Sequence, residues 1–448
     1  MSNETICALA TAPGGAIGII RVSGPQSIEV LSRVFTKDVS LAQPNTIHYG
    51  HIKDGEEIID EVMVSIFRAP HSYTGEDSIE ISCHGSRYIL NKVLALLIAN
   101  GCRQAGPGEF TQRAYLNGKM DLSQAEAVAD LIASSNKATH QMAMSQLRGN
   151  FSSQLAQLRE QLLKLTSLLE LELDFSDHED LEFADRSELS ELTKKIDSHI
   201  TRLAKSFETG QALKQGIPVA IVGKTNVGKS TLLNALLKDD RAIVSDIHGT
   251  TRDTIEDTID INGVTFRFID TAGIRQTSDE VEQIGIERTY AAIEKARIVI
   301  WLVDKEPSRE EIDKMVLLSE NKQLIVTRNK IDKTESKPFT LVKIPLIEIS
   351  AKHGSHLADL EQAIYKAADI PTLSAADVIV TNARHHDALT RAHDHIQRVI
   401  DGLQIQLSGD LLSEDLRQAL DTLAEITGGQ ITPNEVLGNI FTHFCVGK

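Results

Sequence analysis

Gly223-Lys224-Thr225-Asn226-Val227-Gly228-Lys229-Ser230 fits the phosphate-loop pattern G-x-x-x-x-G-K-[ST]. Its flanks supply the context that the pattern needs. Ile217-Pro218-Val219-Ala220-Ile221-Val222 is apolar and mostly β-branched, which predicts a buried parallel strand. Thr231-Leu232-Leu233-Asn234-Ala235-Leu236-Leu237 has helical composition. Between the two, Gly223 and Gly228 let the backbone turn its N–H groups toward phosphates. The start of the helix adds positive potential at the same place. Lys229 is then placed to reach the β- and γ-phosphates and Ser230 to ligate Mg²⁺. A phosphate loop alone implies only a nucleoside triphosphate.

Later segments narrow the ligand. Asp270-Thr271-Ala272-Gly273 follows Val264–Ile269, whose alternation predicts a strand. Thr254–Ile261 is joined to that strand through Asn262-Gly263, a strong hairpin signal. An aspartate leaving a strand beside a phosphate loop can hold Mg²⁺ through water, and Gly273 can offer its N–H to the γ-phosphate. Asn329-Lys330-Ile331-Asp332 follows the apolar run Leu324–Thr327. An ionised Asp332 only accepts hydrogen bonds, so it can take two from the N1–H and exocyclic amine of guanine. Adenine offers no such pair, and a buried unpaired carboxylate costs about 1–3 kcal/mol or more. Lys330 can lay its stem on the base, and Ser350-Ala351-Lys352, after Leu346–Ile349, can close over the base carbonyl. Gly249-Thr250-Thr251-Arg252-Asp253 lies where a first switch belongs, with Thr251 the candidate to complete the Mg²⁺ shell. Together these segments imply guanine-nucleotide hydrolysis.

One expected residue is missing. Ras-like enzymes place a glutamine after Asp-x-x-Gly to orient the attacking water, and here that position is Ile274. Asp279-Glu280-Val281-Glu282 follows, and Glu282 is a candidate for the role; the alternative is an exposed acidic helix start. Arg252 and Arg275 are near enough to be considered as arginine fingers, but neither is assigned. A monovalent cation could neutralise the same charge. Asn226 offers a side-chain carbonyl for one, or is simply a turn residue with a local hydrogen bond.

A chain of 448 residues predicts about three domains. Cys7, Cys83, Cys102 and Cys445 are widely spaced with no C-x-x-C, so neither a zinc site nor a disulfide framework is expected. Reduced thiols suit a cytoplasmic protein. No apolar run approaches the roughly 20 residues that span a bilayer, and the start is not that of a secretory signal, so no membrane association is expected. Lys and Arg number 46 against 63 Asp and Glu, a formal charge of −17. That balance excludes a general RNA-coating protein. If RNA is involved, a partner or a local basic patch must do most of the gripping.

Residues 1–118 mix short β-like runs, such as Ile17–Val22 and Asp77–Ser82, with helical ones, such as Arg87–Ala99. Residues 119–212 read as helical. There Phe151, Leu155, Leu158, Leu162, Leu165 and Leu169 form an apolar stripe at spacings of four and three. The acidic run Asp174–Asp185 reads as a solvated connector rather than a metal loop. Residues 213–371 hold the nucleotide motifs, and 372–448 return to helix, including a capping box at Thr432-Pro433-Asn434-Glu435. His385, His386, His393 and His395 mix helix faces, which favours an exposed helix over a metal site. Cys445 reads as a small buried apolar residue rather than a reactive thiol, given the usual burial of free cysteine. The expected fold is multidomain: an α+β N-terminal domain, an all-α central domain, and an α/β phosphate-loop domain inserted into the helices.

The whole chain resembles the MnmE (TrmE) family of bacterial tRNA-modification GTPases, in the TrmE-Era-EngA-like superfamily. The resemblance rests on Gly14-Gly15, Arg21-Val22-Ser23-Gly24, Ser72-Tyr73-Thr74-Gly75-Glu76-Asp77, Gly108-Glu109-Phe110-Thr111, Asn117-Gly118-Lys119-Met120-Asp121-Leu122, Gly249–Asp253 and the terminal Cys445-Val446-Gly447-Lys448. Val446 is a mild departure, since the family tail usually reads Cys-Ile-Gly-Lys. The resemblance implies that 1–118 is a tetrahydrofolate-binding domain that forms a homodimer. It would take a 5-formyl- or 5,10-methylene-tetrahydrofolate on Arg21, Glu80, Lys119 and Lys448. The helical domain would be 119–212 with 372–448, and the GTPase domain 213–371. GTP or GDP would be held by Asn226, Val227, Gly228, Lys229, Ser230, Thr231, Ser245, Thr250, Thr251, Asp270, Thr271, Ala272, Gly273, Asn329, Lys330, Asp332, Ser350, Ala351 and Lys352. Mg²⁺ would sit on Ser230 and Thr251, K⁺ on Asn226, Ser245, Ile247 and Thr250, and Glu282 would be the general base. The implied partner is the FAD-dependent MnmG, in a heterotetramer or larger complex. With it, a carboxymethylaminomethyl or aminomethyl group would be added at C5 of the wobble uridine of certain tRNAs. The alternative is a ribosome-assembly GTPase of the Era or Der kind, which would carry a second GTPase unit or a basic RNA-binding domain; neither is visible in this sequence.

Overall fold

Alternation of apolar residues builds the first sheet. In Ser78–His84, the residues Ile79, Ile81 and Cys83 are buried while Glu80, Ser82 and His84 are not, the period of a strand with one covered face. The computed structural model describes residues 4–174, 186–238, 257–269, 282–333, 339, 346–370, 377–429, 437, 440–442 and 444–447. Its contacts divide the chain into two units. One comprises Met1–Ala133, Ala143–Arg202 and Arg384–Lys448; the other comprises Ser134–Met142 and Leu203–Ala383.

The first unit holds a six-stranded sheet of order β3-β4-β5-β2-β1-β6. The strands are β1 (Ile6–Leu9), β2 (Ile17–Ser23), β3 (Thr46–Asp54), β4 (Glu57–Phe67), β5 (Ser78–His84) and β6 (Arg103–Gln104). Only the β1–β6 pair is parallel. Helices α1 (Ser27–Val34) and α2 (Arg87–Ala99) bury Leu31, Leu90, Val93 and Leu97 in one core with Ile20, Val22, Val64, Ile66, Ile79 and Ile81. The β3–β4 hairpin was not singled out in the sequence; its two turn residues are Gly55-Glu56, with Gly55 at φ +59° in the first turn position, where a II′ turn favours glycine.

Helices follow: α3 (Glu109–Leu116), α4 (Leu122–Ala133), α5 (Lys137–Leu147), α6 (Asn150–Asp174) and α7 (Arg186–Gln215). The predicted stripe is the buried face of α6, with Phe151, Leu155, Leu158, Leu162, Leu165 and Leu169 all enclosed. The acidic run beyond Asp174 and the capping box at 432–435 lie outside the described residues.

The second unit holds a six-stranded sheet of order β12-β11-β10-β7-β9-β8. Its strands are β7 (Ile217–Val222), β8 (Asp257–Ile261), β9 (Val264–Phe268), β10 (Ile298–Val303), β11 (Gln323–Arg328) and β12 (Leu346–Glu348). All pairs are parallel except the β8–β9 hairpin. Asn262 and Gly263 both have positive φ, 54° and 81°, as a two-residue hairpin turn matched to strand twist requires. Helices α8 (Lys229–Lys238), α9 (Glu282–Lys295), α10 (Arg309–Leu318) and α11 (Leu357–Ala367) accompany the sheet. Residues 134–142 and 203–212, read from the sequence as part of the helical stretch, cluster with this unit. Asn136 Nδ2 donates to Thr265 Oγ1 at 2.8 Å, and the Ala138 N–H to the Gly263 carbonyl at 3.0 Å.

Back in the first unit, α12 (Ala383–Gln404) and α13 (Gly409–Thr427) complete the helices, with α13 packed along α6. Two expectations are corrected here. His385 is not on an exposed helix: it is 1% exposed and clamped to Glu126. Cys445 is exposed rather than buried. Among the described residues, no His/Cys/Asp/Glu group is arranged to hold a metal ion, and no helix is long and apolar enough to cross a membrane.

Candidate nucleotide and ligand sites

The phosphate loop leaves β7 at the centre of its sheet, between β9 and β10. From β7 the chain first fills one side, with β8 and β9, and then crosses to β10, β11 and β12 on the other. That reversal is a topological switch point, and crevices open at the carboxyl ends of strands there. β7 is anchored because Val219, Ala220, Ile221 and Val222 are all buried. The helix after the loop is anchored by Leu232, Leu233 and Leu236. The loop between them is therefore held at both ends.

Lys229 opens α8, and its Nζ donates to the Gly223 and Lys224 carbonyls, each at 2.8 Å. Burial lowers its pKa from the ordinary lysine range. Asn226 has φ +61° and is exposed. Val227 is buried, Gly228 and Ser230 are half-buried, and Thr231 is exposed. At Gly228, φ is +104° and a Cβ would lie 2.3 Å from Asn329 Nδ2. Only glycine allows that approach.

Asn329 is the strut of the site. It is 3% exposed and follows β11. Its Nδ2 donates to the Val227 carbonyl at 2.8 Å, and its Oδ1 accepts from the Ala351 N–H at 3.0 Å. One side chain thus ties the phosphate loop, the Asn329-Lys330 turn and the Ser350-Ala351 turn together. Lys330 Nζ donates to the Asn226 carbonyl at 2.5 Å and pairs with Asp304 Oδ2 at 3.1 Å. Ser350 Oγ donates to Asp332 Oδ1 at 2.6 Å. That hydrogen bond is the main cause holding the Asp332 carboxyl below its usual range, which keeps it an acceptor. Lys352 is exposed in the turn that follows.

Thus Asn226 to Thr231, Asn329, Lys330, Asp332, Ser350, Ala351 and Lys352 gather at the carboxyl edge of one sheet. Ser245, Ile247, Thr250, Thr251 and Asp270 to Gly273 lie outside the described residues, as do Arg252 and Arg275. Glu282 is the first residue of α9; its side chain is outside the described part. Asp304 was missed in the sequence. Its only signal is its place at the end of the fully buried strand Ile298–Val303.

The second candidate site lies in the first unit. Arg21 on β2 is opposite Glu80 on β5 in register. Their contacts are 2.9 Å from Nε and 2.8 Å from Nη2 to Glu80 Oε1. Arg21 Nη1 donates to the Gly447 carbonyl at 3.3 Å. The guanidinium carbon lies 5.5 Å from the Tyr73 ring centroid and 5.7 Å from that of Phe110, within cation–π range. The tail reaches this place because Val446 bridges Pro107, and the Gly108 N–H donates to the Cys445 carbonyl at 3.4 Å. Lys119 Nζ donates to the Pro70 carbonyl at 2.9 Å, and its stem lies against Gly75 of the Tyr73 loop. Lys448 is outside the described residues. Tyr73 and Phe110 lie within motifs of the sequence, but no local pattern signals their ring contacts with Arg21.

Comparison with known proteins then places the chain. The profile of the MnmE helical domain matches residues 122–445, and that of the GTP-binding protein TrmE N-terminus matches residues 5–119. The tRNA modification GTPase MnmE of Bacteroides fragilis is 56% identical over 467 aligned positions, covering 100% of both chains. Those of Bacteroides thetaiotaomicron and Christiangramia forsetii are 56% and 51% identical, covering 100% of this chain and 100% and 99% of theirs. Among solved structures, the G domain of the T. maritima FeoB iron transporter aligns at 24% identity with 34% of this chain and 98% of that one. The TM-score is 0.24, and the family assignment does not rest on it.

Proposed function

This chain belongs to the family of the tRNA modification GTPase MnmE, and we propose that it hydrolyses GTP at the carboxyl edge of the second sheet as part of a tRNA modification. The observation that carries the nucleotide reading is Asn329, whose two side-chain hydrogen bonds join the phosphate loop to both base-side turns. The residues present fit a guanine nucleotide. Gly228 leaves room where any Cβ would collide, and Ser350 keeps Asp332 a pure acceptor for the N1–H and amine of guanine.

In this reading Lys229 neutralises the β- and γ-phosphates, Asn329 and Lys330 frame the base, and Ser350, Ala351 and Lys352 close over it. Ser230 and Thr251 would hold Mg²⁺, with Asp270 to Gly273 as the segment that senses the γ-phosphate. Asn226, Ser245, Ile247 and Thr250 would hold K⁺. When bound, these cations supply positive charge where the phosphoryl oxygens gain negative charge. Glu282 takes the place of the glutamine that Ile274 cannot supply and orients the attacking water.

The same reading assigns 1–118 to folate binding and homodimerisation, 119–212 with 372–448 to the helical domain, and 213–371 to the GTPase. Arg21, Glu80, Lys119 and Lys448 would hold a 5-formyl- or 5,10-methylene-tetrahydrofolate. A carboxylate, a guanidinium and the Tyr73 and Phe110 rings suit a flat heterocycle bearing N–H donors. When bound, the folate supplies a one-carbon unit. With the FAD protein MnmG, the product is a carboxymethylaminomethyl or aminomethyl group at C5 of a wobble uridine. The −17 charge is consistent with the partner gripping most of the tRNA.

The test is GTP turnover by the full chain in KCl and in NaCl, with Glu282→Ala alongside. Turnover should be much faster in KCl, and Glu282→Ala should bind GTP without hydrolysing it. Equal rates in the two salts remove the K⁺ assignment, and an unaltered variant removes Glu282 as the base. Mass spectrometry of wobble uridines from cells lacking the gene should show the modification lost.

A further inference from the structure

We propose that Asp304 is a positioning residue for the nucleotide site: it holds Lys330 on the phosphate loop and so couples base recognition to the phosphates. This rests on the reading of that site as a guanine-nucleotide site.

β10 lies between β7 and β11, pairing Trp301 with Val222 and Val303 with Arg328. The first residue beyond β10 is Asp304, so it emerges between the phosphate loop that follows β7 and the Asn329-Lys330 turn that follows β11. Six successive buried residues, Ile298 to Val303, fix where it emerges.

Lys330 has φ +65°, a left-handed conformation that non-glycine residues adopt rarely and at some cost. Its Nζ nevertheless meets two oxygens, the Asn226 carbonyl at 2.5 Å and Asp304 Oδ2 at 3.1 Å. Asn226 is itself left-handed, with φ +61°. Two left-handed residues on different loops are thus joined through one ammonium, and Asp304 is a negative charge that helps keep that ammonium in place. The pair is about one-third exposed on each side, so solvent weakens its attraction without removing it. Lys330 still meets the Asn226 carbonyl without Asp304, but it is no longer confined there. The base-side turn and the loop bearing Asn226 then move more independently, and nucleotide affinity falls.

The experiment is a double-mutant cycle on the full chain, read as affinity for a fluorescent GDP analogue, with Asp304→Ala, Lys330→Ala and the double variant. Asp304→Ala should weaken GDP by about five- to tenfold. Lys330→Ala should weaken it at least as much, and the double variant should match Lys330→Ala within about twofold. Asp304→Glu should recover part of the loss. A fold defect is recognised because Asp304→Asn, nearly isosteric, should keep the melting temperature while losing affinity. Unchanged affinity in Asp304→Ala, or a full repeat of its loss in the Lys330→Ala background, overturns the proposal. If the unaltered chain binds no guanine nucleotide, the reading of the site fails and this inference falls with it.

Discussion

Asn329→Ala is the sharpest perturbation of the nucleotide edge. The side chain is buried and makes two hydrogen bonds, to the Val227 carbonyl at 2.8 Å and from the Ala351 N–H at 3.0 Å. Alanine leaves both backbone groups buried and unmatched. Each costs about 1–3 kcal/mol, and a water entering the vacated volume recovers part of that. A total of about 2–4 kcal/mol corresponds to roughly 30- to 1,000-fold in an equilibrium constant. The loss falls on the closed arrangement of three loops rather than on the hydrophobic cores, so the local opening equilibrium reports it best. Hydrogen exchange over residues 346–352 of the full chain should show the Ala351 amide exchanging at least about tenfold faster, with GDP affinity reduced by about two orders of magnitude. Asn329→Asp keeps an acceptor for Ala351 but sets a carboxylate oxygen against the Val227 carbonyl, so it should be no milder than alanine. An Ala351 amide as protected as before, with GDP affinity within about twofold of the unaltered chain, would refute the strut.

Two further outcomes follow from the same geometry. In Asp332→Asn, Ser350 still donates to Oδ1 and leaves Nδ2 as the atom offered to the base. Guanine should then bind roughly a hundredfold more weakly, and xanthine, with a carbonyl at C2, should gain; competition between GDP and XDP measures this, and an unshifted preference contradicts it. Acid stability should depend on Glu126. Burial alone would push its carboxyl up, but the His385 charge, the His385 and Arg384 hydrogen bonds and the Arg384 charge outweigh burial and hold it at about 2 against an ordinary 4.5. A depressed folded pKa gives stability that is present above the unfolded value. The chain should therefore lose about 3 kcal/mol as pH falls from about 4.5 toward 2, measured by urea titration of the first unit's transition. Glu126→Gln should flatten that window, and an equal slope in the variant rules the clamp out as its source.

Much of the nucleotide edge was legible because its chemistry is contiguous. A loop that presents successive N–H groups to phosphates must be written in neighbouring residues, as Gly223 to Ser230 is. The apolar stripe of α6 and the Asn262-Gly263 turn were legible for a similar reason, since helical period and turn conformation are local properties. The histidines misled for the opposite reason. Their spacing along α12 suggested solvent, but His385 is buried with its Nε2 2.6 Å from Glu126 Oε2, a partner on a helix 259 positions away in sequence. Cys445 was expected inside because free cysteine is usually buried, but the tail docks through backbone, with Val446 bridging Pro107 and the Cys445 carbonyl accepting from the Gly108 N–H, while the Cys445 side chain stays exposed.

The sequence by itself determined the ligand class, through the phosphate loop and the Asn-Lys-x-Asp segment. It also determined that the GTPase elements sit between helical stretches. Only the tertiary structure decided which side chains hold those motifs together. Asn329 reaches Val227 across 102 positions, and Arg21 meets the Gly447 carbonyl across 426. Asp304 finds Lys330 because β10 lies between β7 and β11. The physical reason is that a motif needs only its neighbours to present donors and acceptors. A strut or a clamp needs strand order and packing to bring distant residues within hydrogen-bond reach, and no local pattern carries that information.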